Sequence, residues 1–413
     1  MSVHFDSQEM RDPESRENSL FARLPDLIAH ARSAPGWAAH LDGVDVAGGM
    51  TRDRLAELPV LRKSELSARQ AEAPPLGGFL SGRAARLFAS PGPIYEPQGG
   101  GTDFWRLARA LFAAGVRRGD VVHNTFAYHL TPGGWIIDAG ARELGCTVVP
   151  AGPGNSAQQL DAIAQLRPRV YAGVPDYLKI LLDKAEEAGR PIDSFKRAFV
   201  SGGPLFPSLR EEYAGRGIVC MQGYATAEAG LIAYESEGPE GVTPGMIVEE
   251  DVIVELVTPG TGDPVADGDV GEVVVTVFSR DYPLIRFATG DLSARLEGPS
   301  PCGRTNMRLK GWLGRADQAA KVKGMFVRPE QVAAVKKTLP ELGRVRVVIT
   351  RDGEQDAMTV KAEVASSGAV SADAVSAAVQ DATKLRAQVE LVEPGTLSND
   401  GVVIDDQRPP VTR

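Results

Sequence analysis

Residues 169–202 read RVYAGVPDYLKILLDKAEEAGRPIDSFKRAFVSG. Two short apolar runs, RVYAGV from Arg169 and RAFVSG from Arg197, bracket DYLKILLDKAEEA from Asp176, which carries a helical pattern. The same alternation continues on both sides. VVHNTF starts at Val121, CTVVPA at Cys146, the helix-like AQQLDAIAQL at Ala157 and IVCMQG at Ile218. Strands and helices alternating at this spacing predict right-handed crossovers and an α/β fold with a mostly parallel sheet. Ligands in such sheets bind beyond the carboxyl ends of the strands.

The pattern changes near Val252. VIVELV and EVVVTVF are joined by the turn-rich TPGTGDPVADGDVG, which predicts an antiparallel β subdomain. Upstream, Leu20, Leu24, Leu27 and Ile28 recur at three and four residues and predict an opening helix. Pro74, Pro75, Gly77 and Gly78 mark an irregular passage. A second helix is predicted over Thr102–Val116, with Leu107, Ala108, Leu111 and Phe112 as its buried stripe and Thr102 as its N-cap. After Gly314 the order reads helix (Pro329–Leu339), strands (Val345–Ile349 and Met358–Val364), helix (Ala372–Leu385) and strand (Val389–Val392). This predicts a small α+β domain with its helices on one sheet face. The expected domains are therefore 1–315 and 316–413.

Bulk composition narrows the class. The chain has 413 residues, 43% hydrophobic and 24% charged, which is ordinary for a globular enzyme. Its net charge of −9 argues against a nucleic-acid footprint. Cys146, Cys220 and Cys302 are too far apart for a CxxC metal pair and do not form a disulfide scaffold. The polar start MSVHFDSQEMRDPESRE has no apolar signal core, and no run elsewhere is long enough to span a bilayer. The expectation is a soluble cytoplasmic protein without a membrane partner.

Several segments together carry a family likeness. They are RDPESRENSLFARLPDLIAHA near the start, LPVLRKSEL ending at Leu66, and ELGCTVVPAGPGNSAQQLDAI followed by RPRVYAGVPDYL. GYATAE, PLIRFATGDLS and GRADQAAKVKGMFVRPEQV follow in the same order. Across nearly its whole length the chain resembles the phenylacetate–CoA ligase branch of the adenylate-forming enzymes. The resemblance implies a carboxylic acid and ATP reacting to an acyl-adenylate and pyrophosphate. CoA thiolate then displaces AMP, and a mobile C-terminal domain swings between the two steps. It also implies a homodimer.

The resemblance assigns residues one by one. Asp291 is the ribose carboxylate, since a carboxylate accepts both protons of a diol. Arg315 is a second ribose contact. Tyr224, followed by Ala225 and Thr226, offers a face for adenine. Glu228 is the Mg²⁺ ligand, and Lys323 is a catalytic cation beside the hinge. Phe126, Tyr128, His129 and Trp135 wall an aromatic or apolar acid. Ser201, Gly202, Gly203 and Pro204 form its floor, with Gly203 also near the nucleotide. His129 has a further possible role on the thioester or in orienting a carboxylate.

The sequence departs from the family where phosphate is handled. The family's phosphate loop is rich in Ser, Thr and Gly and ends in Lys-Pro, whereas this chain has SPGPIYEP at Ser90–Pro97. Pro91 and Pro93 have no N–H to offer. Glu96 stands where the lysine belongs and would repel phosphate. Ala227 replaces a threonine before Glu228. Val402 follows Gly401 where the family has a catalytic lysine, and no lysine lies beyond Lys384. Only Cys302 remains of a cysteine cluster that binds zinc in some relatives, so no zinc is expected. Three readings stay open. One is an acid–CoA ligase, with Lys321 or Lys323 supplying the missing charge. Another is a nucleotide- or CoA-binding homologue that has lost adenylation. The third is an ATP-independent enzyme acting on a thioester.

Overall fold

The strands around the quoted segment form a parallel ladder. In spatial order it runs Thr147–Pro150, Val121–Asn124, Val170–Gly173, Arg197–Val200 and Val219–Thr226. Val121–Asn124 pairs Thr147–Pro150 on one side and Val170–Gly173 on the other, so strand order reverses there. Helices Gly133–Glu143, Ser156–Leu166, Pro175–Glu187 and Pro207–Gly215 make the crossovers. Their apolar faces bury Ile136, Ile137, Leu160, Ile163, Leu178 and Leu181. Valines and alanines dominate the strands because both sheet faces are covered.

The computed structural model describes residues 3–90, 94–203, 205–316, 320–322, 325–327, 329–352, 355–364, 370–398 and 402–408. The side chains of 314, 315, 321, 325, 326, 329, 330, 333, 352 and 355 are not described. Two compact units are distinguished, 1–289 with 293–312, and 290–292 with 313–413.

In the first unit the sheet turns antiparallel beyond Val219–Thr226. That strand pairs Gly230–Tyr234, which pairs Met246–Val248. Val252–Val257 and Val270–Val277 pair antiparallel, as two β-rich runs joined by a dense turn predict. The opening helix is Pro13–Ala31, with the Asp12 carboxylate accepting the Ser15 amide at 2.8 Å and Pro13 in the first turn. Its stripe of Leu20, Phe21, Leu24, Leu27 and Ile28 lies in one core with Trp37, Ile253 and Val275. Leu24 and Ile28 are fully covered, each contributing about 2 kcal/mol.

The predicted helix over Thr102–Val116 is shorter. It spans Leu107–Ala113, and Thr102 is not its cap. Arg106 takes a left-handed φ of 64°, while the Asp103 carboxylate accepts the amides of Leu107 and Ala108 at 2.9 and 2.8 Å. Thr102 bonds Glu143 instead. Asp103 binds the amides that a helix start leaves unpaired, so the helix begins after it.

The second unit has the strand order Gln388–Val392, Gln355–Val364, Leu342–Asp352 and Ile404–Asp406. Helices Pro329–Thr338 and Ala372–Thr383 contribute Val332, Val335, Val375 and Val379 to a core shared with Val347, Ile349 and Val360. Val345, Val347 and Ile349 on one central strand and Met358, Val360 and Ala362 on the other alternate into that core, as a one-sided sheet requires. The edge strand Ile404–Asp406 was not foreseen, because three residues are too few to show a period.

Candidate functional site

The reversal of strand order fixes the first part of the site. Crevices form outside the carboxyl ends of the strands at such a point. Here that end carries the loop from Thr125 to Leu130. The Thr125 amide donates to Ala172 O at 2.8 Å, stitching the loop to the neighbouring strand. Buried Asn124 shapes the rest. Its Oδ1 accepts the Phe126 amide at 3.1 Å, and its Nδ2 donates to Tyr128 Oη at 2.8 Å and to Gly134 O at 2.9 Å.

Gly202, at φ 72°, lies opposite Phe126. A β-carbon there would stand 3.6 Å from the Phe126 ring and 3.7 Å from Val174. Gly134 gives way to Tyr128, because a β-carbon would fall 2.6 Å from its ring. The structure thus brings Phe126, Tyr128, Gly202 and the carboxyl ends of three parallel strands together. Burial and the Asp138 charge push the Tyr128 hydroxyl well up, so it stays protonated and can donate. Gly203 follows, its carbonyl accepting from Gln222 Nε2 at 3.1 Å. Pro204 lies outside the described residues.

Two expected wall residues sit differently. His129 is exposed on the loop and not folded into the crevice. The Trp135 indole donates to Tyr128 O at 3.1 Å and crosses the Tyr128 ring edge-on at 5.4 Å. Its other side receives the Arg86 guanidinium at 4.2 Å and lines a separate cavity of about 300 Å³ with Gln98, Asp138 and Arg142. Trp135 therefore supports the pocket from behind Tyr128.

The second part of the site follows the strand Val219–Thr226. The Thr226 hydroxyl accepts the Ala229 amide at 3.1 Å and tightens the turn that presents Glu228. Tyr224 is buried in the first core, and its hydroxyl donates to Thr289 Oγ1 at 3.1 Å. Thr289 in turn donates to Val273 O at 3.0 Å. In the second unit Asp291 pairs with Arg315 in antiparallel register, and Gly290 at φ 75° accepts the Ala316 amide at 2.7 Å. The side chain of Arg315, the whole of Lys323 and the loop tip Pro91–Pro93 lie outside the described residues. Val402 is described, and its carbonyl accepts from Arg346 Nε at 3.0 Å.

Around Glu228 lie residues that sequence reasoning missed or misread. Glu228 is 5% exposed, with Lys63 Nζ 2.8 Å from its Oε1. The contact has the distance of an ion pair but not the alignment of a hydrogen bond, so both carboxylate oxygens are buried without a hydrogen-bond partner among the described residues. Glu96 is 1% exposed and accepts from Ser90 Oγ at 2.9 Å through Oε2, while its Oε1 has no such partner. Burial first and the Glu228 charge second push the Glu96 carboxyl up to about 8. Tyr282 is 2% exposed, and its hydroxyl has no hydrogen-bond partner among the described residues.

Strands Arg86–Ser90 and Ile94–Gln98 form the hairpin that buries Glu96. Lys63 opens the helix Lys63–Glu72, where a lysine reads as a solvated surface residue, so its sequence carried no signal. No group of three or more His, Cys, Asp or Glu among the described residues is arranged to hold a metal. The dication expected at Glu228 is nevertheless compatible with this site. Buried carboxylate oxygens that accept no hydrogen bond among the described residues are what a hard cation binds.

The Arg of the RFATGD segment is structural. Arg286 is 1% exposed and donates to Ala56 O, Leu58 O and Gly262 O at 2.6, 2.5 and 2.7 Å. It also pairs with Glu255 at 2.9 Å.

Comparison with known proteins converges on one group. Residues 134–277 match the family described as AMP-binding enzyme, and residues 324–405 match the AMP-binding enzyme C-terminal domain. The phenylacetate-coenzyme A ligase of Thermus thermophilus is 32% identical over 359 residues, covering 83% of this chain and 80% of the relative. That of Aromatoleum evansii is 31% identical, covering 75% and 72%. The crystal structure of 2-hydroxyisobutyryl-CoA ligase with 2-HIB-AMP and CoA superposes with a TM-score of 0.72 at 25% identity, covering 98% of this chain and 93% of that one.

Proposed function

The chain belongs to the phenylacetate–coenzyme A ligase family of AMP-binding enzymes, and from that premise we propose that it is an AMP-forming acid–CoA ligase. A carboxylate oxygen attacks the α-phosphorus of ATP and pyrophosphate leaves. The CoA thiolate then attacks the acyl carbon and AMP leaves. The observation that carries the reading is the place at the carboxyl ends of the strands, where their order reverses, at which Phe126 faces Gly202, with Tyr128 on the same loop. Its aromatic walls and glycine floor suit a flat apolar acid, so the substrate class is an aryl or arylalkyl carboxylate.

The remaining roles follow the family. Asp291 and Arg315 hold the ribose, and Tyr224, Ala225 and Thr226 border the adenine. Gly203 lines the passage between acid and nucleotide. Glu228 holds Mg²⁺, which offsets phosphate charge when bound. The domain beginning at residue 316 acts as the mobile lid and carries Lys323. His129, exposed at the rim, meets CoA and not the acid ring. The phosphate site is rewritten at Glu96, Ala227 and Val402, so adenylation runs without the usual phosphate-loop and C-terminal lysines. The enzyme acts in the cytoplasm as a homodimer. No helix among the described residues is long and apolar enough to cross a membrane.

Pyrophosphate release should require both ATP–Mg²⁺ and an acid, and CoA should be consumed in equal amount. Absence of release across a panel of aryl and alkyl acids, with the protein folded by circular dichroism, would falsify the proposal. Turnover of an aryl-CoA without ATP would support the thioester-acting alternative instead. Phe126→Ala should raise KM for the preferred aromatic acid about tenfold, since a ring contact of this kind is worth ~1–2 kcal/mol. KM for ATP should stay unchanged. Equal loss for ATP and acid would mean Phe126 only supports the loop.

A further inference from the structure

Three arginines stand at the opposite end of the parallel ladder from the loop Thr125–Leu130. Arg169 immediately precedes the strand Val170–Gly173, Arg197 opens the strand Arg197–Val200, and Arg117 lies in the turn that leads into Val121–Asn124. All three mark amino ends, whereas Asn124, Phe126 and Gly202 mark carboxyl ends. Strands of four residues separate the two ends by about 13 Å.

One turn gathers the arginines. Gly115, at φ 84°, begins it, and its carbonyl accepts from Arg169 Nη1 at 3.2 Å. A β-carbon on Gly115 would fall 2.8 Å from Arg197 Nε and 2.9 Å from its Cζ, so the bare glycine lets that guanidinium pack onto the turn. Arg117 Nη1 donates to Phe112 O at 2.6 Å and Val116 O at 2.8 Å, and its Cζ lies 3.9 Å from the centre of the Phe112 ring. Asp120 Oδ2 accepts the Arg117 amide at 2.8 Å and pairs with Arg169 Nη1 at 2.7 Å. Glu237 pairs with Arg197 Nη1 at 2.8 Å. Arg117 has no carboxylate partner among the described residues. Burial first, then the charges of Arg197 and Arg169, lower its guanidinium from the ordinary value.

The three side chains bond in the same way. Each guanidinium is anchored through Nη1, while its Nε and Nη2 have no partner among the described residues and stay open to water. Nε with Nη2 is the edge of the fork that meets two oxygens of one anion. Three guanidinium charges thus share two carboxylates, on a chain whose net charge is −9. We propose that the turn Gly115–Asp120, with Arg117, Arg169 and Arg197, binds a phosphate-bearing anion at the end of the ladder remote from the acid loop. One carboxylate fills a single fork, whereas a phosphate group has oxygens for more than one. The proposal goes beyond the ligase reading and does not depend on it.

The test titrates inorganic phosphate and pyrophosphate into the full chain by calorimetry, in chelator so that no metal assists binding at Glu228. Wild type should bind pyrophosphate saturably. The double variant Arg117→Gln, Arg197→Gln should bind it at least about tenfold more weakly, because charge-assisted bonds are lost. Hydrogen exchange on wild type should slow over residues 115–121 and 195–198 when pyrophosphate is added, and stay unchanged over 125–130. Melting curves check that the double variant is folded, and the exchange on wild type decides the matter if it is not. Absence of saturable binding to folded wild type overturns the site. Equal affinity in the folded double variant, or slowed exchange confined to 125–130, overturns it too. A poly-glutamate peptide that binds where pyrophosphate does not would make this face a dock for an acidic protein and overturn the phosphate assignment.

Discussion

Glu228→Gln should lower kcat/KM for ATP-dependent CoA ligation by about two to three orders of magnitude and leave the protein as stable or more stable. The first part follows from the site's chemistry. A group aimed at phosphate charge contributes about 3–4 kcal/mol of transition-state stabilisation. The second part follows from the structure. Glu228 is buried, lacks a hydrogen-bond partner among the described residues and stands beside another carboxyl. Its neutral isostere keeps the shape and removes the repulsion. Lys63 is left without its partner, but about a third of its side chain is open to water, so its cost is small. Activity and thermal melting measured on the same preparation decide the matter. A parallel fall in both would make Glu228 a structural residue. Functional groups held at the expense of stability behave in the opposite way.

Arg286→Met should destabilise the first unit by about 3–5 kcal/mol, the cost of breaking a buried charge pair from one side. The guanidinium ties the carbonyls of Ala56 and Leu58 to that of Gly262 and compensates Glu255. Burial pushes the Glu255 carboxyl up, and Arg286 opposes that push. Without the arginine, three carbonyls and one carboxylate lose their donor. Urea unfolding reads the loss as a lower midpoint at unchanged slope. Glu255→Gln should cost less, since the carbonyl bonds remain. At a temperature where the variant is folded, KM for ATP should match wild type. A raised KM with normal stability would place Arg286 in the nucleotide site.

The arginine of RFATGD acts far from its own segment. It looks functional beside Thr289, Gly290 and Asp291, yet its bonds serve the segment from Ala56 to Leu58. Only the fold brings those residues near. The parallel ladder was legible, because apolar runs such as RVYAGV and RAFVSG flank an amphipathic helix of suitable length. The antiparallel pair at Val252 and Val270 was legible from its β-rich runs and the dense turn between them. The start of the second helix was not, since Asp103 takes the first free amides while Thr102 bonds Glu143. Glu96 was recognised as a departure, but its burial on the hairpin, within reach of the Glu228 charge, joins segments far apart in sequence. Lys63 drew no notice, as nothing local separates a lysine at a helix start from any other surface charge.

The strand reversal at Val121–Asn124 has an evolutionary consequence. The groups that would choose the acid, Phe126, Tyr128 and Gly202, sit on loops at strand ends. The ladder beneath them is held by backbone bonds and by Asn124, which touches no substrate in this scheme. Glu228, which would handle charge, sits on a separate turn. Inheritance can therefore treat the two as separate modules. A lineage can exchange its acid one loop residue at a time while its phosphate chemistry is rewritten elsewhere, and neither change has to pass through an unfolded ancestor.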